Sequence, residues 1–174
     1  KTQQEVEQIT YEFTGTDFIA QLMLRAKGIK KTIRKPYIIF FDHKNNHYLI
    51  SKRVQTEFTE VFRFKTFTQA ERILKEIKSN EAFTEFQNLK KAISLNRRNE
   101  LWVSKGRTLG EKSFLVIQNG KLTGYGFYEL YHQILSWDKI SKLMVKISGM
   151  NPSIKHDLQL SLLKKDYEII TLPD

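Results

Sequence analysis

Asn119-Gly120 stands between two apolar runs, Ser113–Ile117 and Leu122–Tyr128, with Gln118 and Lys121 on its flanks. An Asn-Gly pair in that setting is the strongest short-range signal for a β-hairpin, because both residues tolerate the positive φ that a type I′ turn demands. The second half of the chain is therefore built around an antiparallel pair. Leu101-Trp102-Val103 reads as another short strand, and Lys105–Lys112 as a loop. Trp137–Ile147 and Ile154–Lys165 read as helices parted by Gly149 and Asn151-Pro152, and Tyr167–Leu172 as a closing strand.

The first half carries the same mixture. Val6–Tyr11 is rich in β-branched and aromatic residues and reads as a strand that Thr14-Gly15-Thr16 breaks. Thr16 or Asp17 can cap a helix running to about Lys31, with Phe18, Ile19, Leu22, Met23 and Ile29 as its apolar stripe. Tyr37–Phe41 and His47–Ile50 flank a turn at Asp42–Asn46 and read as a second hairpin, with a third strand near Thr59–Phe64. Thr68-Gln69-Ala70-Glu71 has capping-box spacing and should open a helix to about Lys78. Beyond Ser79-Asn80, Phe83, Phe86, Leu89 and Ile93 predict a linking helix over 81–97. The fold class is α+β, read as two small lobes, residues 1–79 and 80–174.

Composition narrows the chemistry. Hydrophobic residues make up 40% of the 174, enough for a packed core, and the longest apolar runs are too short to cross a bilayer. Lys1–Gln8 is polar with no apolar segment behind it, so the expected location is the cytoplasm, with no membrane partner. The absence of cysteine excludes disulfides and cysteine-ligated metals. His43 and His47 are four apart but flank Lys44-Asn45-Asn46, a solvated turn rather than a metal pair. There is no Walker loop, G-x-S-x-G or H-E-x-x-H motif.

The formal net charge is +10, from 29 basic and 19 acidic side chains. Residues 1–87 hold 15 basic against 11 acidic, and residues 88–174 hold 14 against 8, so the excess is not one detachable tail. Such a charge attracts polyanions, of which nucleic acid is the commonest, though it also serves solubility. Six cations fall within eleven residues: Arg25, Lys27, Lys30, Lys31, Arg34 and Lys35. On a helix Lys27, Lys30, Lys31 and Arg34 share one face at i, i+3, i+4, i+7, able to track phosphates or simply to be solvated. A second set is Arg97, Arg98, Lys105, Arg107 and Lys112, where Gly106 would let the backbone approach a phosphate or merely form a turn. Glu12 and Asp17 lie close in sequence, but one precedes the turn and the other caps the helix, which disfavours a shared metal.

Two stretches carry a resemblance. Ile9-Thr10-Tyr11-Glu12-Phe13-Thr14-Gly15-Thr16-Asp17-Phe18-Ile19-Ala20, running on to Ile29-Lys30-Lys31, resembles the second half of a GIY-YIG nuclease domain of the kind found in UvrC-like proteins and in bacterial fusions with a polymerase III epsilon-type exonuclease. Lys105-Gly106-Arg107, Glu111-Lys112-Ser113, Ile117-Gln118-Asn119-Gly120 and Gly124-Tyr125-Gly126-Phe127 are similar to the segment that follows GIY-YIG in those fusions, and Phe64–Ile77 to the helix after the nuclease domain. The resemblance implies a partial GIY-YIG-like α/β lobe followed by a hairpin-plus-helices lobe, and a DNA-repair context.

The departures bear on catalysis. The Gly-Ile-Tyr and Tyr-Ile-Gly strands have no counterpart in these residues. Leu24 and Arg25 stand where the resemblance puts a metal-binding glutamate, and Ile38 or Ile39 where it puts an asparagine. The family's cysteine-rich segment is replaced by Ser79-Asn80. The expected function is therefore a non-catalytic nucleic-acid-binding portion of a repair-type nuclease, with DNA the expected polymer. No catalytic or metal residue is assigned and no cofactor is expected in this chain, Mg²⁺ entering only for an active nuclease. A different reading is an interaction module that docks a nuclease or polymerase onto repair or replication proteins, using Tyr125, Phe127, Tyr128 and Tyr131 as an aromatic patch.

Overall fold

The computed structural model describes residues 11–29, 34–129, 136–147 and 149–171. Among them are five α-helices and eight strands in two antiparallel sheets, an α+β fold. No helix among the described residues is long and apolar enough to cross a membrane.

The first sheet has the order β2-β1-β3, with β1 (Tyr37–Asp42) paired to β2 (His47–Ser51) and β3 (Thr59–Phe64). A central strand is covered on both faces, which is why β1 is an unbroken apolar run rather than an alternating one. Ile39 and Phe41 enter a cluster with Phe62, Phe64, Ala70, Ile73 and Ile77, while Ile38 and Phe40 are equally buried. The turn after β1 is tied by Asp42, whose carboxylate accepts from the backbone N–H groups of Lys44 and Asn45 and from the Asn45 amide. Those bonds, the Asn45 side chain first, hold the buried Asp42 carboxyl below the usual carboxylate range.

Helix α2 (Phe67–Ser79) lays Ala70, Ile73 and Ile77 on that sheet at i, i+3, i+7 spacing. Its capping box is not the expected Thr68/Glu71 pair but lies two residues earlier. Thr66 Oγ1 accepts from Gln69 N–H and Gln69 Oε1 accepts from Thr66 N–H. A continuous helix over 81–97 is likewise not formed. Asn80 Oδ1 caps a single 3₁₀ turn, Glu81–Thr84; Glu85 is extended; α3 covers only Phe86–Ala92; and Arg97 is left-handed at φ 58°.

The second sheet has the order β7-β6-β5-β4-β8. At its centre β5 (Glu111–Gln118) and β6 (Lys121–Glu129) form the hairpin read from Asn119-Gly120, whose φ values of 49° and 74° are those of a type I′ turn. Outside them run β4 (Glu100–Lys105) and β8 (Glu168–Thr171) on one side and the two-residue β7 (Val145–Lys146) on the other. The helix expected over Trp137–Ile147 is shorter, α4 (Trp137–Leu143), because Val145 and Lys146 pair with Tyr125 and Gly124. Gly124 permits this: a Cβ there would lie 2.5 Å from Met144 Sδ.

One face of this sheet packs Leu101, Val103, Phe114 and Val116 against Ile140 of α4. The other packs Trp102, Leu115, Ile117, Leu122 and Tyr125 against two helices. One is α1 (Asp17–Ala26), through Ile19 and Leu22, so α1 precedes the first sheet in the chain but packs on the second. The other is α5 (Pro152–Lys164), begun by Asn151, whose side chain accepts from Ile154 N–H, with Pro152 in its first turn.

Helix α5 has two working faces. Ile154 and Leu158 pack with the second sheet, and Leu160 and Leu163 with the first. His156 sits edge-on to Phe62 with its Nε2 accepting the Arg63 backbone N–H at 2.9 Å. A helix apolar on two sides is one enclosed on two sides.

Candidate nucleic-acid interface

Helix α1 ends where its own sequence stops it. Gly28 is left-handed at φ 77°, Gly28 N–H bonds to Arg25 O, and Ile29 N–H bonds to Leu24 O. These two bonds make a Schellman closure. The helix expected to reach about Lys31 thus ends at Ala26, ahead of positions 27, 30, 31 and 34. Lys30 and Lys31 lie outside the described residues. Lys27 Nζ instead meets Glu12 Oε2 at 2.7 Å, a contact that raises its pKa, first through the hydrogen bond and then through the carboxylate charge. Arg34 is exposed in irregular chain.

Lys35 is committed to structure. Its Nζ lies 2.8 Å from Asp157 Oδ1 on α5, and His156 Nδ1 lies 3.0 Å from the same oxygen. Because His156 Nε2 accepts from Arg63, the proton of the neutral ring sits on Nδ1, facing Asp157, and Nε2 has no lone pair left to act as a base. Burial raises the Asp157 pKa most, but the hydrogen bonds from His156 and Lys35 and the Lys35 charge together outweigh it and hold the carboxyl below the usual aspartate value. A depressed carboxyl pKa stabilises the fold above its unfolded value and loses that contribution as pH falls through the folded one. Asp157→Asn should therefore cost about 1.5–3 kcal/mol near pH 6, the range for hydrogen bonds to a charged group. Thermal melts should converge with the parent's as the pH drops below the ordinary aspartate range; equal melts at pH 6 would refute this.

In the second set, Arg98 donates to Glu100 Oε1 at 2.9 Å and to Ser94 O, and is half-buried. Arg97 is exposed at its left-handed turn. Arg107 forks onto Glu111, whose carboxylate also accepts from the Arg107 backbone N–H, and its guanidinium lies 4.2 Å from the Phe127 ring centroid. The hydrogen bond to Arg107 is the largest influence holding Glu111 below the usual carboxylate range. Lys105 and Lys112 behave differently. They stand directly opposite each other on β4 and β5, with Tyr128 next in the row on β6. Among the described residues neither has a carboxylate at ion-pair distance.

Among the described residues the expected cations fall into two groups. Lys27, Lys35, Arg98 and Arg107 are neutralised by carboxylates, while Arg34, Arg97, Lys105 and Lys112 are not. By strand alternation Lys105 and Lys112 lie on the α4 face of the second sheet, whereas Arg107 rests on Phe127, which packs with the opposite core. The residues of the expected aromatic patch differ in burial. Tyr125 is buried in the core, Phe127 and Tyr128 are half-buried, and Tyr131 lies outside the described residues.

Arg25, at the position where a metal-binding glutamate was expected, donates to Asn151 Oδ1 and Ser153 Oγ, clasping α1 to the start of α5. Glu12 is occupied by Lys27, and Asp17 is exposed in the first turn of α1. Among the described residues no three His, Asp or Glu side chains gather as a metal cluster would require.

A feature that sequence reasoning missed lies beside α1. The segment Tyr11–Thr14 runs along the outer side of the helix and leaves a groove of about 580 Å³ lined by Tyr11, Glu12, Thr14, Ala20, Met23, Leu24 and Lys27. Tyr11 is 83% and Phe13 64% exposed, with their rings in edge contact. The next residues close on the second sheet: a Cβ at Gly15, itself at φ 74°, would meet the Lys105 and Gly106 carbonyl oxygens at 2.8 Å. The loop carrying Arg107 is thereby pinned beside the groove. Compared with protein-family models, with curated proteins and with solved structures, the chain shows no significant match to any.

Proposed function

We propose that this chain is a non-catalytic, cytoplasmic nucleic-acid-binding portion of a DNA-repair-type nuclease. The observation that carries the reading is the Lys105–Lys112 pair. Like charges directly opposite on neighbouring strands are destabilising, by about 0.2–1 kcal/mol in cross-strand pairs. Among the described residues neither has a carboxylate at ion-pair distance, so the row offers two cations to an external anion. The net charge of +10 supplies a long-range attraction for polyphosphate, and Tyr128 adds a hydroxyl beside the pair. The resemblance of residues 9–31 and 105–127 to a nuclease and its following segment gives the DNA context.

The reading is tested by the double variant Lys105→Gln, Lys112→Gln. Relief of the like-charge pair should leave the unfolding temperature equal to or slightly above the parent's. DNA affinity, followed by fluorescence anisotropy against NaCl, should fall, and the slope of log K against log salt should flatten by about one for each phosphate that the variant no longer neutralises. An unchanged slope, or parent binding indifferent to salt, would refute the proposal.

A further inference from the structure

We infer that the groove between Tyr11–Thr14 and α1 is a stacking site for unpaired nucleotides, giving the chain a preference for single-stranded nucleic acid. The inference rests on the nucleic-acid reading above and extends it to the form of the ligand. Tyr11 lines the groove and Phe13 stands beside it in edge contact; both rings are largely exposed, and neither enters a core cluster among the described residues. Exposed aromatic rings beside cations are the elements that hold single strands. Every base has a face to stack, whereas a duplex hides those faces within its own stack.

The charge around the rings suits a phosphate backbone. Lys27 lines the groove with its side chain 61% exposed, and Arg107, held over Phe127, is near enough to Glu12 to feel its charge. Exposed Leu24 and Ile29 extend the apolar strip toward the helix end and offer further contact for a base. Glu12 is the opposing element. It occupies Lys27 in the absence of ligand, so a phosphate must displace it. Glu12 therefore acts as an internal competitor, and its removal should free Lys27 and tighten binding.

The experiment measures anisotropy of a fluorescein-labelled 12-nucleotide thymidine strand and of a 12-base-pair duplex, using the full chain. The parent should bind the strand more tightly than the duplex. Tyr11→Ala with Phe13→Ala should weaken strand binding by about 5- to 100-fold, the span of base–aromatic stacking, and leave duplex affinity and the unfolding temperature unchanged. Tyr11→Phe should keep strand affinity, and Glu12→Gln should raise it. Equal loss on strand and duplex, or no loss on the strand, overturns the inference. So does a parent that favours duplex while Lys105→Gln, Lys112→Gln still weakens it, a result that spares the nucleic-acid reading. Binding to neither probe removes both, and salt-independent capture of an apolar peptide by the groove would assign it to a protein partner instead.

Discussion

Trp102→Ala is expected to remove about 3–5 kcal/mol of stability, the range for deleting a large aromatic from a core. Trp102 is fully buried in the cluster that also holds Leu115 and Ile117 of the sheet, Ile19 of α1 and Leu158 of α5. Its indole N–H also donates to Glu100 Oε2 at 2.7 Å, and Glu100 in turn holds Arg98. The substitution thus opens a cavity and removes a donor from a half-buried carboxylate. Urea unfolding should show a lower midpoint, with the unfolding temperature down by about 10 °C for a chain of this size. Trp137, the only other tryptophan, remains as a fluorescence probe. A loss below about 1 kcal/mol, the size of an ordinary point substitution, would mean that the helices on that face are not packed as described.

Gly120→Val is the second large effect, and its cause is not only the turn. Gly120 needs its positive φ, which costs a non-glycine residue about 1–3 kcal/mol, more for a β-branched one. In addition, a Cβ at this position would run into the Leu95 carbonyl oxygen. The hairpin tip is fastened to the preceding segment by Gly120 N–H to Arg98 O and Asn119 N–H to Asn99 Oδ1. Overpacking against that backbone adds about 1–3 kcal/mol. Asn119→Gly, which keeps the turn and removes only a side chain, should be far milder. Comparing the two in chemical denaturation reads the strain and the clash at Gly120 together; equal destabilisation would refute both.

The strands were legible where local chemistry decides alone. Tyr37–Phe41 reads as buried β-structure because a central strand needs no polar alternation, and Asn119-Gly120 fixes its turn by φ. The α2 boundary was ambiguous at sequence level, since Thr66-Gln69 and Thr68-Glu71 have the same spacing; the burial of Ala70 and the contact of Phe67 with Tyr37 choose the first. The end of α1 carried a signal, Gly28 after Lys27, that outweighs the run of cations beyond it. Long-range ion pairing was not legible. Lys35 and Asp157 are 122 residues apart, and nothing in either neighbourhood announces the other. The groove was hidden for the same reason, because Tyr11 reads as the end of a strand until the course of the chain along α1 is known.

The position of α5 late in the chain has a consequence for how the protein is made. Its residues 154–163 close both cores, yet they follow β1–β3 and β4–β6 in order of synthesis. A growing polypeptide must therefore carry two incompletely covered sheets until the segment ending at Lys164 has emerged from the ribosome. Through that interval its apolar faces are open to chaperones and to neighbouring nascent chains. Stalling translation just before Pro152 should leave a species that chaperones hold, and release beyond Lys164 should let both sheets become protease-resistant together.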